Sequence, residues 1–176
     1  MGEPRIIRET KRLRLREMVE EDAPFILELL NEPSFLRFIG DKGVRTLDDA
    51  RAYIIGGPVA SYLANGHGLY HVELKATRAA IGMSGLVKRP TLEHPDLGFA
   101  FLPAYWSQGY ALEAARAVMD LADNELKIPT VIAIASPDNV ASAKLLNHVG
   151  LVYAEMISTT GGEPDLALFR RAAPQP

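Results

Sequence analysis

Residues 97–112 read LGFAFLPAYWSQGYAL and join two different patterns of secondary structure. The apolar run 97–102 predicts a buried strand, and apolar residues at helical spacing from Ala111 to Leu126 predict a long helix. Gly109 therefore lies in a turn at the N-terminus of a helix. The first N–H groups of a helix have no internal partners and its dipole is positive there, so this turn suits a phosphate or pyrophosphate. A plain strand-to-helix connection explains the same residues.

A second segment, residues 130–151, repeats the order of strand, turn and helix and reads TVIAIASPDNVASAKLLNHVGL. Its first six residues form the short apolar run that is typical of a buried strand. Asn139 is a residue type that caps helices, and Gly150 is one that ends them. The two segments together predict a strand-helix-strand crossover, whose loops are the place to look for a functional site.

The rest of the chain predicts an α+β fold in one domain spanning residues 1–176. Leu13 and Leu15 alternate with arginines, which predicts a strand with one buried face and one solvated face. Two helices, over 22–31 and from Thr46 to a break at 56–58, precede strands over 69–74 and 81–87. Two closing strands follow at 151–158 and 165–169. Only residues 1–3 and 172–176 read as loose termini.

Composition and charge exclude several classes of function. The 176 residues are 48% hydrophobic and 23% charged, with a net charge of −3 and no cysteine. A thiolate nucleophile, a disulfide and a Cys-ligated zinc site are therefore excluded, and nucleic acid is not expected as a partner. No apolar stretch approaches the ~20 residues of a membrane span, and the N-terminus carries no apolar signal region, so we expect a cytoplasmic protein without membrane contact. The four histidines are scattered, and no metal site is expected.

The two segments resemble those of the GNAT superfamily of acetyl-CoA-dependent N-acetyltransferases. The resemblance rests on the strand followed by WSQGYALEA, then a buried strand, then Asn139 and Ser142 with Gly150-Leu151 after them. Within the superfamily, the chain is most similar to the ribosomal-protein N-terminal acetyltransferase (Rim) type. The resemblance implies a mixed, mostly antiparallel, seven-stranded sheet with helices on both faces. It also implies that the sheet is splayed between the strand ending at Leu102 and the strand over 130–135.

The resemblance also implies which residues bind acetyl-CoA, the acyl donor. The backbone of strand residues Phe99, Ala100 and Phe101 would pair with the pantetheine arm. Residues of the turn and the first helical turn would hold the pyrophosphate, chiefly through backbone N–H groups: Ser107, Gln108, Gly109, Tyr110, Ala111 and Leu112. Asn139 matches the asparagine that contacts the cofactor arm, and as a residue it is equally a helix N-cap.

Acyl transfer to an amine needs a base, an oxyanion donor and a proton for the departing thiolate. The N–H of Phe101 is the expected oxyanion donor. Many members place a tyrosine as the acid where this chain has Leu146, so the resemblance assigns that role to Ser142, although a serine here also suits the first turn of a helix. The acidic residue of the Rim type falls near Ser158 in this sequence, where no carboxylate stands. Asp96 occupies a position where relatives often have Glu, so the resemblance makes it the candidate base. Glu73 and water-mediated deprotonation are the alternatives.

The implied function is transfer of an acetyl group from acetyl-CoA to a primary amine by direct attack on the thioester. A protein N-terminal α-amine is the first acceptor to consider, and a small-molecule amine such as a polyamine or an antibiotic is the second. A non-catalytic module that binds acyl-CoA is a third alternative, because the tyrosine acid and the Rim-type carboxylate are both replaced. Closing strands of this fold can also serve as the interface of a homodimer.

Overall fold

The computed structural model describes residues 2–159 and 161–171, which form one sheet flanked by helices. The strands are Ile6–Glu9 (β1), Leu13–Arg16 (β2), Leu69–Leu74 (β3), Ala80–Val87 (β4), Asp96–Phe101 (β5), Ile132–Ala135 (β6), Leu151–Ile157 (β7) and Leu166–Arg171 (β8). The α-helices are Ala23–Leu30 (α1), Pro33–Phe38 (α2), Leu47–Ile54 (α3), Ala60–Asn65 (α4), Tyr110–Asp120 (α5) and Val140–His148 (α6). Of the predicted loose termini, Met1 and residues 172–176 lie outside the described residues.

The sheet is mixed and mostly antiparallel, with the strand order β1-β2-β3-β4-β5-β6-β8-β7. Only β5 and β6 run parallel, as the strand-helix-strand crossover requires. The sheet has eight strands, so the expected number of seven is wrong. The additional strand is β1, which the sequence analysis missed because its four residues IIRE do not alternate and belong to an edge strand with little burial.

The two parallel strands meet at only one end. The register of β5 and β6 contains one Cα pair, Asp96 with Ile132, and Ile132 N–H donates to the carbonyl of Pro95 at 3.0 Å. Beyond this pair, β5 continues to Phe101 without a strand partner on that edge. This is the splay implied by the resemblance, and it leaves an open backbone edge inside the molecule.

Two apolar cores cover the two faces of the sheet. One core joins α5 to the face that carries Leu13, Leu15 and Phe101. The other joins α1 and α3 to the opposite face, where Met83 and Ala100 lie. Helices on both faces were expected, and the side-chain alternation of β5 supplies residues to both cores.

The start of α3 follows its predicted capping signal, whereas its predicted end does not. Thr46 caps α3 by accepting the N–H of Asp49, whose carboxylate bonds back to the Thr46 N–H. The predicted break at 56–58 is wrong, because residues Ile55–Val59 form a π-helical turn that continues into α4. Proline lacks the backbone N–H that a helix uses, and the wider π-helical turn accommodates this loss. The ring of Pro58 is buried.

The arginine face of β2 is not solvated as a whole, so that expectation is wrong for Arg16. Arg16 is 9% exposed and forms two hydrogen bonds of 2.9 Å to the carboxylate of Asp22. Its Nε also donates to Glu73, which itself pairs with Arg78 at 2.6 Å. His71 lies between the two carboxylates, 3.6 Å from Asp22 and 3.8 Å from Glu73. The face is buried because α1 packs over it, a tertiary contact that no local pattern reveals.

His71 makes the stability of the fold depend on pH. Burial lowers the pKa of His71 to about 4, so the imidazole is neutral in the folded protein. The unfolded chain binds a proton near pH 6.5, and stability is therefore lost as the pH falls below that value. Between pH 7.5 and 5 we expect the wild type to lose about 2 kcal/mol that His71→Gln does not lose. Urea unfolding of both proteins at the two pH values measures this difference, and parallel pH dependence would contradict it.

Candidate active site

A cleft of about 1370 Å³ runs along the open edge of β5. The turn before α5 and the first turn of α6 form one end of it, and the loops around α2 and the end of β4 form the other. Ser142, Asn139 and Asp96 all line this cleft, together with the β5 residues Phe99, Ala100 and Phe101. The fold thus brings together the residues that the resemblance selected from two distant segments. Glu73 does not line the cleft, since its carboxylate is buried among arginines.

The glycine turn, residues 106–109, aims backbone N–H groups at the cleft. Gly109 adopts φ +80° and precedes α5 directly, and Ser107 also has a positive φ of 58°. Positive φ values suit glycine and turn the peptide planes so that successive N–H groups point the same way. Within the described residues, the N–H groups of 107–112 have no protein acceptor. Free N–H groups at a helix N-terminus are suited to a pyrophosphate.

Arg12 and Glu113 hold the glycine turn in place. Arg12 donates from Nε to Glu113 at 2.7 Å and from Nη1 to the carbonyl of Gln108 at 2.9 Å. Its guanidinium also stacks over the ring of Tyr110, 4.3 Å from the centroid. Glu113 accepts from the hydroxyl of Thr10 as well. Although partial burial works against it, these hydrogen bonds lower the pKa of Glu113, and the ionised carboxylate supports the turn.

Removing the Arg12 guanidinium should weaken acetyl-CoA binding without unfolding the protein. Arg12→Met loses the bonds to Glu113 and to the Gln108 carbonyl, so the turn is less well fixed before the pyrophosphate binds. We expect the Kd for acetyl-CoA to rise about tenfold by isothermal titration calorimetry. Arg8→Met is the matched control, since Arg8 pairs with Glu125, in the helical turn that follows α5 and lies far from the glycine turn along the helix. Equal Kd values for the two variants would contradict this role of Arg12.

At the open edge of β5, only every second residue presents its backbone N–H and C=O groups. Leu102 N–H donates to the carbonyl of Ile81 on β4, and strand alternation directs the groups of Ala100 to β4 as well. The expectation that Ala100 pairs with a ligand through its backbone is therefore wrong. The groups of Phe99 and Phe101 point to the opening, except that the Phe101 carbonyl accepts the indole N–H of Trp106 at 2.8 Å.

Asn139 and Ser142 lie at the N-terminus of α6, across the opening from β5. The Asn139 side chain accepts the N–H of Ser142 at 3.1 Å, so Asn139 caps this helix. The Ser142 hydroxyl is bonded to none of the described residues and lines the cleft. Leu146 on the next turn is buried in the core. Ser142 is thus the hydroxyl of α6 that a ligand in the opening can reach.

Asp96 lies at the closed end of the splay, paired with Arg89. Arg89 donates from Nε to Oδ2 of Asp96 at 2.9 Å, and the Asp96 side chain is 2% exposed. Oδ1 is bonded to none of the described residues. Burial raises the pKa of Asp96, and the charge and hydrogen bond of Arg89 oppose that rise. The carboxylate is therefore held in one position, with one oxygen free of partners among the described residues.

Sequence reasoning missed Arg12, Trp106 and Arg89 as parts of the site. Arg12 was assigned with Arg14 and Arg16 to a solvated face, and only the contact of β2 with α5 shows its role. Arg89 lies two residues after Val87, the register partner of Asp96, but the connection between β4 and β5 spans residues 88–95, and no local signal shows that it returns to Asp96. No local signal distinguishes the bonded indole of Trp106.

The described residues contain neither a group that could hold a metal ion nor a helix that could span a membrane. Among 2–159 and 161–171, no three acidic or histidine side chains are grouped so that they could hold a metal ion. No helix in the same ranges has the length and apolar character needed to span a membrane.

Comparison with known proteins assigns the chain to one family. The family model for the acetyltransferase (GNAT) domain matches residues 12–152. The uncharacterized N-acetyltransferase YnaD of Bacillus subtilis is 28% identical over 142 residues, which cover 81% of this chain and 80% of that protein.

Solved structures agree with the family model. An acetyltransferase from Agrobacterium tumefaciens is 25% identical, with a TM-score of 0.81 over 98% of this chain and 97% of that one. The fold is also that of RimL, a ribosomal L7/L12 α-N-protein acetyltransferase solved with coenzyme A, at a TM-score of 0.82, 16% identity and coverage of 94% and 97%. Since the family model spans most of the sequence, the chain belongs to the GNAT acetyltransferases, which transfer an acetyl group from acetyl-CoA.

Proposed function

We propose that this chain acetylates a primary amine by direct attack on the thioester of acetyl-CoA. The observation that carries the proposal is the unpaired edge of β5, which leads directly to the free N–H groups of the glycine turn. An extended chain ending in a pyrophosphate matches this combination of an open strand edge and a helix N-terminus. The α-amine of a protein N-terminus is the first acceptor to test, because the fold is shared with RimL.

The backbone binds and polarises the donor, which supplies an acetyl group activated as a thioester. N–H groups of residues 107–112 neutralise the pyrophosphate, and the edge groups of Phe99 and Phe101 hold the pantetheine arm. The Phe101 N–H also faces the opening, where it stabilises the negative charge that develops on the thioester oxygen. A fixed N–H donor does this without reorganisation, which is the advantage of an oxyanion site on a strand.

Asp96 removes the proton from the attacking amine in this proposal. Asp96 lines the cleft with Oδ1 free of protein partners among the described residues, and the bond from Arg89 to Oδ2 fixes its orientation. Burial raises the pKa of Asp96, which makes the carboxylate a stronger base than an exposed aspartate, and the charge of Arg89 opposes this rise. An α-amine, with a pKa near ~8, requires little help to lose its proton.

Ser142 supplies the proton for the departing thiolate. Its hydroxyl has no partner among the described residues, and Asn139 fixes its backbone at the first turn of α6. A serine is a weak acid, so the positive end of the helix dipole assists by stabilising negative charge on the leaving sulfur. Both catalytic groups therefore reach the opening from rigid elements.

A small-molecule amine is the second candidate acceptor, and a specific observation supports it. The end of the cleft beyond Asp96 is lined by charged groups, including Lys42 and Arg89, close to the proposed base. Such a cluster can recognise a compact polar molecule without any contact to a protein surface.

Thermal unfolding with acetyl-CoA tests whether the donor binds. At a hundred times its Kd, a ligand adds about 2.7 kcal/mol to stability, which for this chain length predicts a rise in Tm of about 5 to 10 °C. Release of the CoA thiol on addition of amines then separates an enzyme from a binding module. A rise in Tm without thiol release from any peptide or small-molecule amine would favour the module, and no rise would contradict both.

A further inference from the structure

The end of the cleft beyond Asp96 carries cationic groups whose hydrogen-bonding capacity the described residues leave partly unused. Arg89 uses only Nε to bind Asp96, and its two Nη groups have no partner among the described residues. Its side chain is 38% exposed and lines the cleft. The bond to Asp96 thus fixes the guanidinium at the cleft, and both Nη groups are left without a partner among the described residues.

Lys42 adds a second cation to the same end of the cleft. It forms no ion pair with any described residue, although it lines the cleft with Arg89. The cleft walls and the charge of Arg89 lower the pKa of Lys42, while Glu163 opposes this. Two cations that disfavour each other in this way form a site for a negative charge from outside the protein.

Two of the neighbouring carboxylates, Asp41 and Asp138, have partners other than Arg89 and Lys42. Asp41 is bonded to Arg45, and Asp138 is bonded to Ser136 and Arg37. Glu163, in the connection between β7 and β8, is the acid that acts on Lys42, and it forms no ion pair with a described residue.

Tyr53 of α3 provides a further donor beside Arg89. Its hydroxyl lines the cleft and bonds to none of the described residues. Burial raises the pKa of Tyr53, and the nearby charge of Arg89 opposes that rise. The hydroxyl is therefore protonated and free to donate.

We infer that the acceptor carries a carboxylate or phosphate beside its amine, and that Arg89 and Lys42 bind this group with help from the Tyr53 hydroxyl. The inference rests on the proposed function, since it places the amine at Oδ1 of Asp96. Arg89 bridges the two sites: Nε orients the base, and the Nη pair matches a carboxylate or phosphate in a two-point contact. Polyamines, which bring only positive charge, fit this cleft poorly.

Matched acceptors test the inference through CoA thiol release. Amino acids are compared with their amides, phosphoethanolamine with ethanolamine, and peptides whose second residue is Asp with peptides whose second residue is Asn. We expect kcat/KM to be at least about tenfold higher for the anionic member of one pair. The pair that shows the preference identifies the source of the anion. Equal use of both members in every pair overturns the inference and leaves the proposed function intact.

Variants locate the preference at the two cations. Lys42→Gln should lower kcat/KM about tenfold for the anionic acceptor, through KM, and leave its neutral partner unchanged. Arg89→Lys loses the two-point contact and also alters the group that orients Asp96, so it should lower kcat/KM for both acceptors, and for the anionic one by about tenfold more. Lys127→Gln, which removes a charge outside the cleft, is the control. An equal loss for both acceptors would indicate a purely structural role for these residues.

A binding measurement keeps the site testable if no amine is acetylated. With the glycine turn saturated by CoA, sodium phosphate should raise the Tm of the wild type more than sodium chloride at equal ionic strength. The increment should disappear in Lys42→Gln. An equal increment in both proteins, or none in either, overturns the anion site, whereas a failure of acetyl transfer alone counts against the proposed function.

Discussion

Asp96→Asn should lower kcat/KM for the amine by about 10²–10⁴, the range found for loss of a general base. The amide keeps the hydrogen bond from Arg89 Nε and the volume of the side chain, so the closed end of the splay is preserved. Binding of acetyl-CoA should be unchanged, because the glycine turn lies at the other end of β5. Steady-state rates of thiol release and calorimetric Kd values separate the two effects.

The pH profile identifies the reason for the loss. Activity of the wild type should rise with pH as Asp96 ionises, at a pH above that of an exposed aspartate because burial raises its pKa. Asp96→Asn should lose this increase in activity and keep the second increase, which occurs as the acceptor amine loses its own proton. Asp48→Asn is the control, since Asp48 pairs with Arg51 on the surface of α3. A variant with wild-type rate and profile would eliminate Asp96 and favour deprotonation through water.

Ser142→Ala should lower kcat by about 10²-fold or more with an unchanged Kd for acetyl-CoA, as expected for loss of a general acid. The hydroxyl makes no hydrogen bond to a described residue, and the N–H that Asn139 caps is retained in alanine. The fold should therefore be unaffected. Single-turnover rates of thiol release measure the effect, and thermal unfolding checks stability.

Leaving-group acidity provides a sharper version of the same test. A donor whose thiol is more acidic needs less protonation, so an acetyl thioester with an acidified thiol should restore part of the rate in Ser142→Ala. Ser158→Ala is the control, because Ser158 also lines the cleft but on the β7 side. Equal rates in wild type and Ser142→Ala would assign the proton to water or to another group.

The cofactor end of the site could be predicted because it depends on local patterns. Gly109 before an amphipathic helix and Asn139 before the next one specify helix N-termini, and the crossover between them places both at one end of the sheet. The two segments also identify the family, whose fold the structure shares. The local signals and the chain topology predict the same arrangement here, so it does not depend on tertiary contacts that the sequence hides.

The acceptor end could not be predicted, because its residues come together only through packing. Lys42, Tyr53 and Arg89 lie in three separate elements, and none of them stands in a recognisable motif. The same holds for Arg16 and His71, whose burial depends on the position of α1. Charged side chains at alternating positions predict a solvated strand face, and the sequence does not show that a helix packs on that face.

The central claim is that acetyl passes directly from acetyl-CoA to an amine bound in the cleft. Intact mass spectrometry after mixing the protein with acetyl-CoA carrying a labelled acetyl group tests it, first without an amine and then with one. We predict an unmodified protein in the first sample, and in the second a labelled amide on the acceptor with an equal amount of free CoA. A labelled protein in the first sample, or free CoA without labelled acceptor in the second, would contradict direct transfer.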